Sequence, residues 1–217
     1  MRVAVIFDMD GVIVDNGEFH QKAWKEFSLK HDLHFSDETF KNRFFGRTNE
    51  QVLPEMFNRK LSPDEIRKLG NEKEEIYRQI YSPHLKPISG LIPFLEELHK
   101  NEFPVGVATS APQENVDFIL EGLGIKKFFS VIVTDSMVSK GKPHPEIYQK
   151  AAEMLETNPD NCVVFEDSKS GTKAAWDAGT KVVAITTTLP AEKHHHAHQV
   201  IKNFEGVSVA FVLNLLK

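Results

Sequence analysis

Residues 3–15 read VAVIFDMDGVIVD. The first five are apolar and rich in valine and isoleucine, the pattern of a strand buried on both faces, and the run stops abruptly at Asp8, Asp10 and Gly11. Two carboxylates one residue apart at the edge of a core are costly, because each loses hydration and each repels the other. A salt bridge, a bound cation or both must compensate them.

Similar apolar runs recur at 105–108, 131–133, 162–165 and 182–185. Between them lie stretches with apolar residues at helical spacing: 92–100, a helix opened by a capping-box spacing from Ser110 to Gln113 and ending near Gly122 and Gly124, then 145–155 and 168–178. Strands alternating with helices predict an α/β core, a doubly wound parallel sheet of Rossmann-like type. Residues 16–85 break the rhythm. Helical periodicity over 19–29, 37–44, 50–57 and 62–81, without a strand, predicts a small all-helical domain inserted after the first strand as a cap over the active face. Ser62, Pro63 and Glu65 supply a cap, a first-turn proline and a capping-box acid. The expected division is a core of 1–15 and 86–217 and a cap of 16–85.

Composition narrows the function. At 217 residues, 41% hydrophobic and 26% charged, the chain can bury one core and a smaller insertion. A net charge of −5 without a Lys/Arg block speaks against nucleic acid and anionic membrane as partners. Cys162 is the single cysteine, which rules out an intrachain disulfide or a cysteine metal cluster, and its apolar surroundings predict an inert buried thiol. Neither a secretory pattern nor a run of ~18 apolar residues is found, so the expected location is the cytoplasm. The expected state is a monomer. The histidines of 194–198 read as a solvated surface tract.

In an open parallel sheet ligands bind beyond the carboxyl ends of the strands. Those ends carry Asp8 and Asp10, Thr109 and Ser110, and Glu166 and Asp167, while the segment between the third and fourth strands offers Gly141, Lys142 and Pro143. Strand alternation places Asp8 and Asp10 on one side of the backbone. With Asp167 as a third oxygen donor, the acids suit Mg2+, which prefers hard oxygen ligands and keeps waters that a phosphate can replace. Lys142 adds a charge for that phosphate, Thr109 a hydroxyl, and the amides after Ser110 a helix dipole.

FDMDGVIVD, ATSAP, GKP and FEDSKSG, in this order, resemble the four motifs of the haloacid dehalogenase superfamily, nearest to its β-phosphoglucomutase-like phosphatases with a small helical cap. The resemblance implies magnesium-dependent phosphoryl transfer from a small phosphorylated metabolite, such as a sugar phosphate, through an aspartyl phosphate on Asp8. It implies Asp10 as general acid and base, and metal ligation by the Asp8 carboxylate, the Asp10 carbonyl and Asp167, with Glu166 a ligand or a support. Thr109 and Lys142 complete the catalytic set. His20 falls where β-phosphoglucomutases have a histidine near the cap hinge. Their distal-phosphate arginine, three residues after a cap glycine, corresponds here to Asn49 after Gly46, with Arg47 two places early. A serine two residues after the motif hydroxyl is Ala111. These residues, with Ser110, are the expected substrate contacts, and the departures favour a hydrolase. β-Phosphoglucomutase activity is the alternative, and a non-catalytic phosphate-sensing module the second.

Overall fold

The helical stretch between the first and second apolar runs forms a unit of its own. A computed structural model describes residues 2–44 and 47–217, apart from the side chains of residues 41 and 42. The chain divides into Met1–Asp15 with Leu85–Lys217, and Asn16–His84. The second unit contains α1 (Gly17–Lys30), α2 (Asp37–Thr39) leading into a π-helical turn at Phe40–Phe44, α3 (Asn49–Met56) and α4 (Pro63–Tyr81). The sequence signal for α4 is realised atom for atom: Ser62 Oγ accepts from Glu65 N, and Glu65 Oε2 accepts from Ser62 N at 2.8 Å. Trp24, Phe27, Val52, Leu53 and Tyr77 are among its buried residues.

The first unit is built on six parallel strands: β1 (Ala4–Phe7), β2 (Val105–Thr109), β3 (Val131–Thr134), β4 (Cys162–Glu166), β5 (Lys181–Ile185) and β6 (Gln199–Ile201). Their order is β3-β2-β1-β4-β5-β6, so the chain reverses its direction of winding at β1. That topological switch point is where a doubly wound sheet offers its crevice. The strands are connected through α5 (Leu91–Lys100), α6 (Gln113–Gly122), α7 (Glu146–Met154) and α8 (Lys169–Asp177), and α9 (Val209–Leu215) closes the chain. Phe7 pairs with Phe165 in register, and their rings stack at 5.1 Å with Phe94 and Phe204 around them. Ala4, Ile6 and Val164 belong to a separate cluster with Ile147, Ala151 and Ala174. Alternation along β1 and β4 thus fills both sides of the sheet.

Three expectations are corrected. A sixth strand exists that no apolar run announces, because β6 is three residues long at the sheet edge and largely exposed. The Ser110 capping box does not form: α6 starts after Pro112, and Ser110 Oγ instead donates to Asp135 Oδ1 at 3.1 Å. Proline disfavours helical backbone at the residue before it, so the helix cannot open at Ala111. Finally, the histidine tract is not uniformly solvated. His194 is buried, and His198 accepts from Val182 N through Nδ1 at 3.0 Å. Cys162 is buried as expected, and burial pushes its thiol up to about 12.

Candidate active site

Strand register brings the acids together. Phe7 lies beside Phe165, so Asp8, just past β1, and Glu166, the last residue of β4, come side by side, with Asp8 N donating to Phe165 O at 2.9 Å. Asp8, Glu166 and Asp167 are the one group of three buried carboxylates with neighbouring oxygens among the described residues, all within 4.8 Å. Lys142 reaches the same point from the loop after β3. Its ammonium donates to Asp8 Oδ1 (2.9 Å), Glu166 Oε1 (2.8 Å) and the Ala108 carbonyl (3.2 Å) at the end of β2.

The three carboxylates are not equivalent. Glu166 accepts from five donors: Lys142 and the Tyr148 hydroxyl (2.9 Å) on Oε1, and Asp167 N, Ser168 N and Ser168 Oγ on Oε2. Burial works to raise its pKa, but Lys142 and these hydrogen bonds outweigh it and hold it below the usual range. Of the two roles open to Glu166, these bonds favour support. Asp8 uses one oxygen for Lys142. Burial, opposed by Lys142 and reinforced by the charges of Glu166 and Asp10, pushes its carboxyl up to about 7. Asp167 is raised well above its usual value, first by burial and then by Glu166 and Asp8. Lys142 is raised because the attraction of Asp8 and Glu166 overcomes burial.

One lysine against three carboxylates leaves two formal negative charges uncompensated. A divalent cation with a preference for oxygen matches both that deficit and the donor chemistry.

Asp10 belongs to a turn rather than to the strand. β1 ends at Phe7, and the turn is closed by Ile13 N to Met9 O (2.8 Å) and Gly11 N to Val14 O (2.7 Å), so strand alternation does not relate Asp10 to Asp8. Its side chain is outside the three-carboxylate group, though its charge acts on Asp8. Gly11 has φ +77°, and a Cβ there would run into the Asp167 carboxylate. Thr109 is buried at the end of β2, with Oγ1 accepting from Ala111 N at 3.1 Å. Ser110 turns to Asp135, and the buried Ala111 offers no hydroxyl.

The remaining candidates lie in the helical unit. His20 stacks on Tyr77 at 3.8 Å and accepts from Lys73 Nζ at 2.9 Å through Nδ1. Asn49 donates to Glu74 Oε1 at 3.1 Å, and the same oxygen accepts from Lys73. Arg47 is spent on its own surroundings, donating to Glu55 Oε2 and to the carbonyls of Arg43 and Gln51. That geometry runs against its use as a stand-in phosphate grip. Gly46 lies outside the described residues.

Sequence reading missed four supports of the site. Tyr148 is one turn into α7 and looks like core until its hydroxyl is placed on Glu166. Gly171 lies in α8 where a Cβ would strike the Glu166 carboxylate, and FEDSKSG carried that signal as its final residue. Thr187 and Thr188 follow β5: Thr187 Oγ1 donates to the Gly11 carbonyl and Thr188 Oγ1 to Asp167 Oδ2.

The chain is 33% identical over 176 residues to a phosphorylated carbohydrates phosphatase of Thermotoga maritima, covering 81% of each. It is 33% identical over 195 residues to the β-phosphoglucomutase of Bacillus subtilis, covering 86% of this chain and 84% of that one. It is 28% identical over 208 residues to the chloroplastic 5-amino-6-(5-phospho-D-ribitylamino)uracil phosphatase of Arabidopsis thaliana, 95% of this chain but only 56% of the longer relative. The structure of a HAD hydrolase, family IA, variant 3, from Entamoeba histolytica superposes with a TM-score of 0.91 at 29% identity, covering 100% of this chain and 99% of that one. A model of the haloacid dehalogenase-like hydrolases matches residues 5–185, from within β1 to the end of β5, and the chain is accordingly an enzyme belonging to that family.

Proposed function

We propose that the protein is a magnesium-dependent phosphatase of small phosphorylated metabolites, sugar phosphates foremost, that works through an aspartyl phosphate on Asp8. The observation that carries this reading is the buried cluster itself. Asp8 has one oxygen held by Lys142 and the other oxygen without that bond, in a group two positive charges short of balance. Asp8, Asp167 and the Asp10 carbonyl would hold Mg2+, with Glu166 bracing them from its five hydrogen bonds. When bound, the cation supplies a Lewis acid that offsets phosphoryl charge and allows the Asp8 anion to approach it.

The chain's own groups do the rest. The free Asp8 oxygen attacks phosphorus, the new O–P bond forms as the bond to the ester oxygen breaks, and Asp10 gives that leaving oxygen its proton. A water then attacks the same phosphorus, Asp10 takes its proton, and the Asp8–phosphorus bond breaks to release inorganic phosphate. Lys142 keeps Asp8 aimed throughout, and Thr109 offers a hydroxyl to the phosphoryl oxygens.

The relatives support both a phosphatase and a mutase reading, and the helical unit, taken as the cap that selects the substrate, favours hydrolysis. A mutase must hold a bisphosphate and so needs a second anion grip. Here Asn49 is bonded to an acid, Ala111 has no hydroxyl, and the Arg47 guanidinium is engaged by Glu55. Among the described residues no helix is long and apolar enough to cross a membrane. A cytoplasmic monomer remains our reading.

The test incubates enzyme and Mg2+ with β-glucose 1-phosphate, with and without glucose 1,6-bisphosphate, and measures glucose 6-phosphate and free phosphate separately. Phosphate release with little stimulation by the bisphosphate is expected. Bisphosphate-dependent formation of glucose 6-phosphate, outrunning phosphate release by about tenfold or more, would assign a mutase, since that ratio is ~1.4 kcal/mol of preference for sugar over water.

A further inference from the structure

Residues 186–198 read TTTLPAEKHHHAH, and the reaction proposed above uses none of them. Their starting point is set by the sheet: Glu166 pairs with Ala184, so the chain leaving β5 at Ile185 emerges next to Asp167. Thr186 N donates to Ile201 O at 3.1 Å, fixing the loop to β6. Thr187 and Thr188 then place one hydroxyl on the Gly11 carbonyl and one on Asp167 Oδ2.

The loop is also held from behind. His194 is 4% exposed, and its Nε2 lies 3.3 Å from the Leu189 carbonyl. A carbonyl can only accept, so Nε2 carries the proton, while the buried Nδ1 has no hydrogen-bond partner among the described residues. Ala197 N bonds back to His194 O, and His198 exchanges hydrogen bonds with the Val182 backbone on β5. A ring nitrogen buried without a partner forgoes its hydration. The Leu189 bond is what this ring does in return.

We propose that Thr188, backed by His194 through the Leu189 carbonyl, is a positioning residue that sets the orientation of Asp167 and thereby the affinity for Mg2+. The inference rests on the metal reading above. Its logic is electrostatic. Lys142 bonds Asp8 and Glu166 but not Asp167, and the hydrogen-bond donor that Asp167 does have is a neutral hydroxyl. A neutral donor fixes the carboxylate plane without spending the negative charge that a cation needs, and it occupies Oδ2 so that Oδ1 is presented. Thr187 fastens the Gly11 turn, against which Asp167 lies, to the same loop.

The test is Mg2+ binding to the purified protein by titration calorimetry, alongside phosphatase rate as a function of Mg2+ concentration. Thr188→Val should weaken Mg2+ by about 10- to 100-fold, the usual range for loss of a group that orients a ligand, with turnover recovering at saturating Mg2+. Thr188→Ser, which keeps the hydroxyl, should bind within about threefold of wild type, and His194→Leu should fall between the two. Wild-type binding with Mg2+ affinity unchanged in Thr188→Val would overturn this inference and leave the metal reading standing. Absence of Mg2+ binding and of Mg2+-dependent turnover in the wild type would remove both. If Thr188→Val does not fold, His194→Leu decides, and an unchanged affinity there overturns the proposal.

Discussion

Each unit of this chain buries a lysine among acids, and the two clusters differ in their balance. In the helical unit Lys73 and Glu74 are 3% and 6% exposed, and the ammonium meets one carboxylate, that of Glu74, at 2.9 Å. The ammonium also meets His20 Nδ1 and the faces of Trp24 and Tyr77. In the α/β unit Lys142 faces three carboxylates, and burial lifts Asp8 to about 7 and Asp167 well above its usual value. A balanced buried pair is complete as folded. An unbalanced one is stable at neutral pH only by holding protons or by binding a cation, and that is the physical difference between a structural cluster and one awaiting a ligand.

Removing one charge from each cluster should therefore have opposite consequences. Asp8→Asn takes a charge from the overloaded cluster together with the proposed nucleophile. Hydrolysis of p-nitrophenyl phosphate should fall by at least about a thousandfold, ~4 kcal/mol of barrier, while the metal-free protein keeps its unfolding midpoint or gains slightly. A variant with more than about a tenth of the wild-type rate would end the covalent mechanism. Lys73→Met removes the ammonium that pairs with Glu74 and leaves that carboxylate buried. Urea denaturation should show a loss of about 3–5 kcal/mol, largely recovered by the double change Lys73→Met with Glu74→Leu. No recovery in the double variant would mean that Lys73 acts through His20 and the aromatic rings rather than through Glu74.

The smallest effect is expected at the surface of α4. Arg59, then the Ser62 amide and hydroxyl, lower the Glu65 carboxyl to about 2. A depressed acid contributes stability that is present above its unfolded value, near 4.5, and lost as pH falls through about 2. The difference in unfolding midpoint between wild type and Glu65→Gln should thus be present at pH 7 and close between pH 4.5 and 2. A difference independent of pH would show that packing, not the carboxylate, caps the helix.

Much of the site is legible in the sequence because the chemistry clusters at strand ends. Asp8, Glu166 and Asp167 follow apolar runs directly, and a parallel sheet aligns such ends whatever the loops do. Lys142 is legible as part of GKP, although its simultaneous hold on Asp8, Glu166 and the Ala108 carbonyl is not. Ser110 misleads because the capping spacing is local, and Pro112 vetoes a helix start that the spacing alone would allow. Arg47 misleads for the opposite reason. A guanidinium is free in a sequence and becomes committed only when Glu55, one helix further on, folds back to meet it.

The order of residues alone settles the parallel α/β class, the inserted helices, the capped start of α4 and the place of Asp8 directly after β1. These follow from periodicity and neighbours in the chain, whose influence extends over a few residues. Which carboxylate is saturated and which is open is decided by contacts between residues far apart in sequence. Tyr148 and Lys142 fill Glu166, Thr188 takes one oxygen of Asp167, and Gly11 and Gly171 clear the space in which those carboxylates lie. The fate of the histidines is decided in the same way, with His194 buried and bonded to the Leu189 carbonyl while His195 next to it is exposed. Hydrogen bonds and desolvation depend on distances of a few ångströms in space, and sequence separation carries no measure of those until the sheet has set its register.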